Sequence, residues 1–217
     1  LNILELRPCK ILPALISGTA DIAIGCYHPS TKEQILQEAN KNGFAVEPVF
    51  QDKMICFLPR NHPLARNTKI TFPELQECGI PGAVYNDHVL MDTYDCITTG
   101  DAPETEIGKD SYSFTDRSSI KKAVSKGLAY ATLPRLMAYD DIYVTSGMII
   151  PVPIADANLK LTMYLAYPAR GSLSHASTVT LNAVRTLFQK MTELFAEQDR
   201  NKKEAEAQST RNQFLVY

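Results

Sequence analysis

Leu15–Gly25 reads LISGTADIAIG. A small-residue stop, Ser17-Gly18-Thr19, follows an apolar stretch, and Asp21 precedes a run of Ile and Ala ending in glycine. The stop closes a helix spelled by Arg7–Gly18 (RPCKILPALISG), with Leu12, Leu15 and Ile16 on one face and Gly18 as its C-terminal residue. Pro13 fits that helix only within the first turn or at a kink. Upstream, Leu1–Leu6 (LNILEL) alternates as a strand. Asp21–Gly25 is a continuous apolar strand, read as buried on both faces of a parallel sheet covered by helices. Strand, helix, strand in so few residues is a βαβ unit, right-handed almost without exception.

Working outward, Met54–Leu58 is a further apolar strand, followed by a turn with two prolines in PRNHPLA. ITFPELQE (Ile70–Glu77) is a short capped segment, and GIPGAVYND (Gly79–Asp87) a strand that runs into a polar loop. Thr105–Pro134 is the most regular stretch: a strand, an N-cap at Thr115 or Asp116, then a helix with Ile120, Ala123 and Val124 on one face. Gly127 closes that helix, LAYATL is a strand and Pro134 ends it. MIIPVPI and LTMYLAYP are strands, and Leu181, Val184, Leu187, Phe188, Met191, Leu194 and Phe195 lie at helical spacing toward a core. From Glu197 the composition turns charged, predicting a solvated helical extension or a disordered tail. The alternation of strands and helices implies an α/β fold with mostly parallel sheets.

At 217 residues and 45% apolar content the chain has material for one two-lobed α/β unit with a sizeable core. With 22 basic against 24 acidic residues it has no electrostatic footprint for nucleic acid. No apolar run reaches membrane-spanning length, and LNILELRPCK lacks the order of a secretory signal. Cys9, Cys26, Cys56, Cys78 and Cys96 show no CxxC spacing, so they read as reduced thiols of a cytoplasmic protein. His28, His62, His88 and His175 have no metal-ligand spacing, and no metal is expected. No cofactor is implied, since neither phosphate-binding glycine loop is present. ARGSLSH (Ala169–His175) lacks the hydrolase elbow and reads as a loop before the last helix. Asp140-Asp141 reads as a pair of solvated loop charges. No catalytic constellation supports an enzyme.

Four stretches, in order, resemble the effector-binding domain of LysR-type transcriptional regulators. LPALISGTADIAIG resembles the family's L-x-x-L-x-x-G-x-x-D-x-A-I signature, and FLPRNHPLARNTKITFPEL its HPLA and E-L segment. SIKKAVSKGLAYATLP resembles V-x-x-G-x-G-I-A-x-L-P, with Ala129 where a second glycine is usual. IIPVPI with LTMYLAYPARGSLSHAS resembles the closing strands and last helix. The resemblance implies a two-lobed periplasmic-binding-protein-like fold with two crossover hinge strands, one lobe incomplete at its N-terminus because Leu1 aligns with the second strand. The crossings fall near Gln51–Lys53 and Pro151–Ala155. Lobe I is then 1–51 plus 155–196, lobe II 52–154, and 197–217 a charged tail. Asp21 is implied to cap the start of a core strand, with direct effector contact as the alternative.

The family's helix-turn-helix is absent from these residues, so DNA is expected to be contacted only through a domain outside this chain, in a cytoplasmic homodimer or tetramer. The alternative is a solute-binding protein of a transporter, which shares the fold. Small ligands of such folds sit between the lobes, at loops leaving the carboxyl ends of strands. The expected effector-binding residues are Arg7, Pro8 and Cys9 on one loop, Tyr85, Asn86 and His88 on a second, and Ser113, Phe114 and Thr115 on a third. Thr132 and Pro134 complete the wall. Arg7 and the helix N-terminus at Thr115–Asp116 favour a small organic anion, with Tyr85 and Phe114 as flat walls. Asp87 and Asp116 oppose an anion wherever they face the cleft.

Overall fold

The computed structural model describes residues 1–6, 8–85, 111–155 and 160–214. In chain order it holds α1 (Pro8–Ile16), β1 (Ala23–Tyr27), α2 (Lys32–Lys41), β2 (Phe44–Pro59), α3 (Phe72–Gln76) and β3 (Gly82–Tyr85). Then come β4 (Ser111–Phe114), α4 (Arg117–Ser125), β5 (Ala131–Pro134), the single-turn α5 (Ile142–Thr145), β6 (Ile149–Pro153), β7 (Lys160–Pro168) and α6 (His175–Phe214).

Local signals set most helix ends. Gly18 takes φ 71 beyond α1, and the amides of Ser17 and Gly18 bond the carbonyls of Pro13 and Leu15. Thr71 and Glu74 form a capping box on α3, and Asp116 Oδ1 accepts from Ser119 N at 2.7 Å on α4. In the HPLA turn, His62 Nδ1 accepts from Leu64 N at 3.2 Å, so its Nε2 carries the proton and donates to the Cys78 carbonyl at 3.0 Å. That motif is therefore a structural clamp. Ser174 Oγ accepts from Ser177 N at 3.1 Å, so the loop before the last helix ends in a cap.

The long strand β2 organises the fold. Phe44–Lys53 pair with β7, whereas Met54–Phe57 pair with β5 and Ile55–Pro59 with β6. The change of partner at Lys53/Met54 passes the chain from one sheet, β1-β7-β2, to a second built around the other half of β2. The chain returns between β6 and β7. In the second sheet β2 is central and buried on both faces: Ile55 and Phe57 pack under α4 with Ile120 and Val124, while Cys56 and Leu58 pack with Ile70 and Leu75. In the first sheet β2 is an edge strand, which tolerates Pro48, and its register shifts between Pro48 and Phe50.

Several expectations are corrected. The sheets are not mostly parallel: β2 pairs antiparallel with β5, β6 and β7, and β1 with β7. Among the described strands only β3 and β4 form a parallel ladder. Leu1–Leu6 forms no strand, because nothing among the described residues pairs with it, and Leu1 and Ile3 are exposed. For the same reason β1 is an edge strand among the described strands rather than one buried on both faces, and Ile24 is 45% exposed. Asp21 is exposed and caps no strand through a side-chain hydrogen bond; Ser17 Oγ, bonded to Ala14 O at 3.2 Å and to Thr19 Oγ1 at 2.8 Å, holds that turn. Ile16 and Leu187 face solvent. Helix α2, which is not among the expected elements, buries Ala39 beside β2, and β2 runs far beyond Met54–Leu58. The charged C-terminal stretch continues α6 as helix to Phe214. Asp141 is not a solvated charge: it caps α5 and pairs with Lys121, while Asp140 turns outward at φ 52.

Gly25 allows the first sheet to close around Tyr164. A Cβ at Gly25 would stand 2.5 Å from Tyr164 Oη and 2.8 Å from its Cε1. Tyr164 is buried and stacked on Tyr27 with ring centroids 5.6 Å apart, so the ring has nowhere to swing. Gly25→Ala is expected to lower stability by about 1–3 kcal/mol, read as a drop in melting temperature.

Candidate functional site

Strand directions place the carboxyl ends of both sheets at the crossover. Pro134 at the end of β5 is the register partner of Met54, the first residue of β2 past the change of partner. β3 runs parallel to β5 through the Gly82–Tyr130 bridge and parallel to β4 in register, Tyr85 opposite Phe114. The ends of β3, β4 and β5 therefore all point toward the first sheet. Across the crossover, Tyr27 at the end of β1 is level with Thr162, which is level with Gln51. Helix α1 returns antiparallel to β1 after a short turn, so its N-terminus at Pro8 lies at the same end. So does the N-terminus of α2 at Lys32. Two rims of strand ends and helix N-termini thus face one another across the hinge, the position at which open α/β folds take small ligands.

The expected residues distribute unevenly over these rims. Pro8 and Cys9 open α1, and Tyr85 ends β3. Ser113 and Thr115 are exposed on the facing rim. Phe114 is half-buried against the core under α4, so it supports that wall from behind. Pro134 is half-buried at the crossover, and Thr132 is buried within β5 opposite Cys56. Arg7, Asn86, Asp87 and His88 lie outside the described residues.

The cap on α4 alters the electrostatics. The hydrogen bonds from Ser119 hold the Asp116 carboxyl below the usual carboxylate range, so the N-terminus of α4 already carries an anion of its own. Helix α1 has no acidic residue in its first turn. The partial positive charge available to a ligand therefore lies on the α1 side.

A lining segment missed in the sequence is His28–Thr31, directly after β1. His28 Nδ1 lies 3.0 Å from Ser30 Oγ, and Thr31 N bonds the His28 carbonyl at 3.0 Å. Burial pushes the His28 imidazole below its usual value, favouring the neutral ring. The Pro-Ser-Thr run after an apolar strand was the available signal. At the hinge itself, Asp52 is buried and accepts from Lys53 N at 2.8 Å and from Leu136 N at 2.9 Å. Burial raises its carboxyl despite those bonds and the nearby Arg135 and Lys53 charges. Among the described residues no group of three or more His, Cys, Asp or Glu could hold a metal ion, and no described helix is long and apolar enough to cross a membrane.

Comparison with known proteins shows the family and the fold. Residues 1–189 match the LysR substrate binding domain family. The HTH-type transcriptional regulator CysL of Bacillus subtilis (strain 168) is 28% identical over 110 residues, 48% of this chain and 33% of that protein. The chain thus spans about a third of this curated relative. Among solved structures, the effector-binding domain of QuiR in complex with shikimate superposes with TM-score 0.61 at 16% identity, covering 82% of this chain and 77% of that one. The regulatory domain of CcmR from Synechocystis PCC6803, in complex with 2-PG, gives TM-score 0.58 at 15% identity, covering 83% and 79%. With the family matched along most of its length and the two-lobed fold shared with these regulators, the chain belongs to the LysR substrate-binding domain family and is an effector-sensing regulatory domain.

Proposed function

We propose that this domain is the sensing half of a cytoplasmic LysR-type transcription factor that reads DNA through a separate helix-turn-helix domain and works as a homodimer or tetramer. Lobe I comprises 1–51 and 155–196, and lobe II 52–154. Closure of the lobes on an effector shifts the population between two arrangements and so changes the spacing of the DNA-binding heads. The reading rests on one observation: the two rims of strand ends and helix N-termini that meet at the crossover of β2.

The effector is a small organic anion. The start of α1, with no acidic residue in its first turn and Arg7 just before it in sequence, supports this, and Asp116 directs the negative group away from α4 toward lobe I. Shikimate, the ligand of the QuiR domain, is a carboxylate of this size. Thermal-shift screening of small organic acids against amines, sugars and nucleosides tests the assignment. An acid at about a hundred times its Kd adds about 2.7 kcal/mol, a rise of roughly 5–10 °C for a domain of this size. Arg7→Ala is expected to reduce that rise, and Asp140→Asn, which keeps the left-handed turn, to leave it intact. Stabilisation by amines or neutral sugars and by no acid would overturn the anion assignment.

A further inference from the structure

The last helix does not stop at lobe I. Phe188, Met191 and Phe195 pack on Phe50 of β2, with ring centroids 5.5 Å apart for Phe50–Phe188 and 5.8 Å for Phe50–Phe195. Leu136, from the turn that follows β5 in lobe II, joins the same cluster. One helical turn further on, polar groups take over. Arg135 Nη1 donates to Asp199 Oδ1 at 2.7 Å and Arg135 Nη2 to Gln198 Oε1 at 2.8 Å, while the guanidinium lies 4.3 Å from the centre of the Phe195 ring. Lys53 Nζ donates to the other Asp199 oxygen at 3.1 Å. One carboxylate on α6 therefore gathers a cation from the hinge strand and a cation from lobe II.

We propose that Phe195–Asp199 is a strap across the hinge that sets the angle between the lobes. The physical reason is the geometry of rotation. Lobe II turns about the crossover at Lys53/Met54, and Arg135 sits one residue beyond the β5 end that pairs there. Any change of angle moves the Arg135–Leu136 turn relative to α6. It must then break an arginine contact that is divided between Asp199 and Gln198 and stacked on the Phe195 ring, with only 18% of the Arg135 side chain exposed. Asp52, bonded to Leu136 N, anchors the same turn from the β2 side. The lobes are thus braced from both sides of one turn. The strap depends on the two-lobed fold and on no particular effector.

The test is the distribution of distances between spin labels on unnatural amino acids at Lys41 in lobe I and Lys126 in lobe II, both exposed, measured on the full chain without ligand. The wild type is expected to give one narrow distribution. Asp199→Asn and Arg135→Gln are each expected to widen it at least twofold with unchanged circular dichroism, and Asp199→Glu to restore the narrow form. Unchanged widths in both folded variants would overturn the strap. Should either variant fail to fold, the wild type decides the matter alone. Raising NaCl from 50 mM to 1 M screens the Lys53–Asp199 pair, whose side chains are 64% and 41% exposed, and is expected to broaden the distribution, and an unaltered width overturns the proposal.

Discussion

Replacing Phe57 by alanine is expected to lower the stability of this domain by about 3–5 kcal/mol, read as a fall in the urea midpoint at unchanged slope. Phe57 is fully buried in the half of β2 that is central to the second sheet, under Ile120 and Val124 of α4 and beside Leu133 and Ile149. The ring is enclosed by strands on both sides and a helix above, so the cavity cannot collapse, and the cost includes lost contacts as well as lost transfer energy. Total stabilities of domains run about 5–15 kcal/mol, so this loss is a large share of the whole. Leu187→Ala is the control. Its side chain is 52% exposed, and the change is expected to stay within about 0.5 kcal/mol. Equal losses at the two positions would contradict this packing.

Asp52→Ala is expected to cost about 1–3 kcal/mol, because it leaves the amides of Lys53 and Leu136 without their acceptor at a buried position. The loss carries a pH signature. Burial raises the Asp52 carboxyl above its usual value of 3.8, so the folded chain holds that proton more tightly than the unfolded chain does. The associated stability is complete below pH 3.8 and disappears as pH rises through the raised folded value. The difference between wild type and Asp52→Ala is therefore expected to be larger at pH 4 than at pH 7. Urea midpoints at the two pH values measure it. A difference that grows with pH would mean that the Arg135 and Lys53 charges, and not burial, dominate the environment of Asp52.

Local chemistry was legible residue by residue. Asp116, one of two N-cap residues expected, the Ile120/Ala123/Val124 face and Gly127 spelled a helix whose ends the structure reproduces, and Pro134 marks the end of β5, which starts at Ala131 rather than at Leu128. The Thr71–Glu74 box was equally direct, because capping involves donors and acceptors three residues apart. The candidate site was legible in part. Tyr85, Phe114 and Pro134 were placed at strand ends from turn signals, and parallel pairing brings those ends to one rim. His28–Thr31 was missed because only the register of β1 against β7 shows that its end is level with Gln51.

By itself the sequence determined most of the elements from α1 onward, the caps of α3 and α4 and the family that the four stretches resemble, but not α2, the first half of β2 or the cap at Asp141. The tertiary structure decided what covers each element. Ile24 and Leu187 have core chemistry at core spacing yet face solvent, because periodicity records which side of an element is apolar and not whether a neighbour lies against it. The antiparallel course of β2 against β5, β6 and β7 was hidden because strand direction depends on long connections. Arg135 and Asp199, 64 residues apart, meet only once β2 has carried the chain from one sheet into the other. Contacts over such separations depend on how the chain closes in space, for which neighbouring residues carry no local signal.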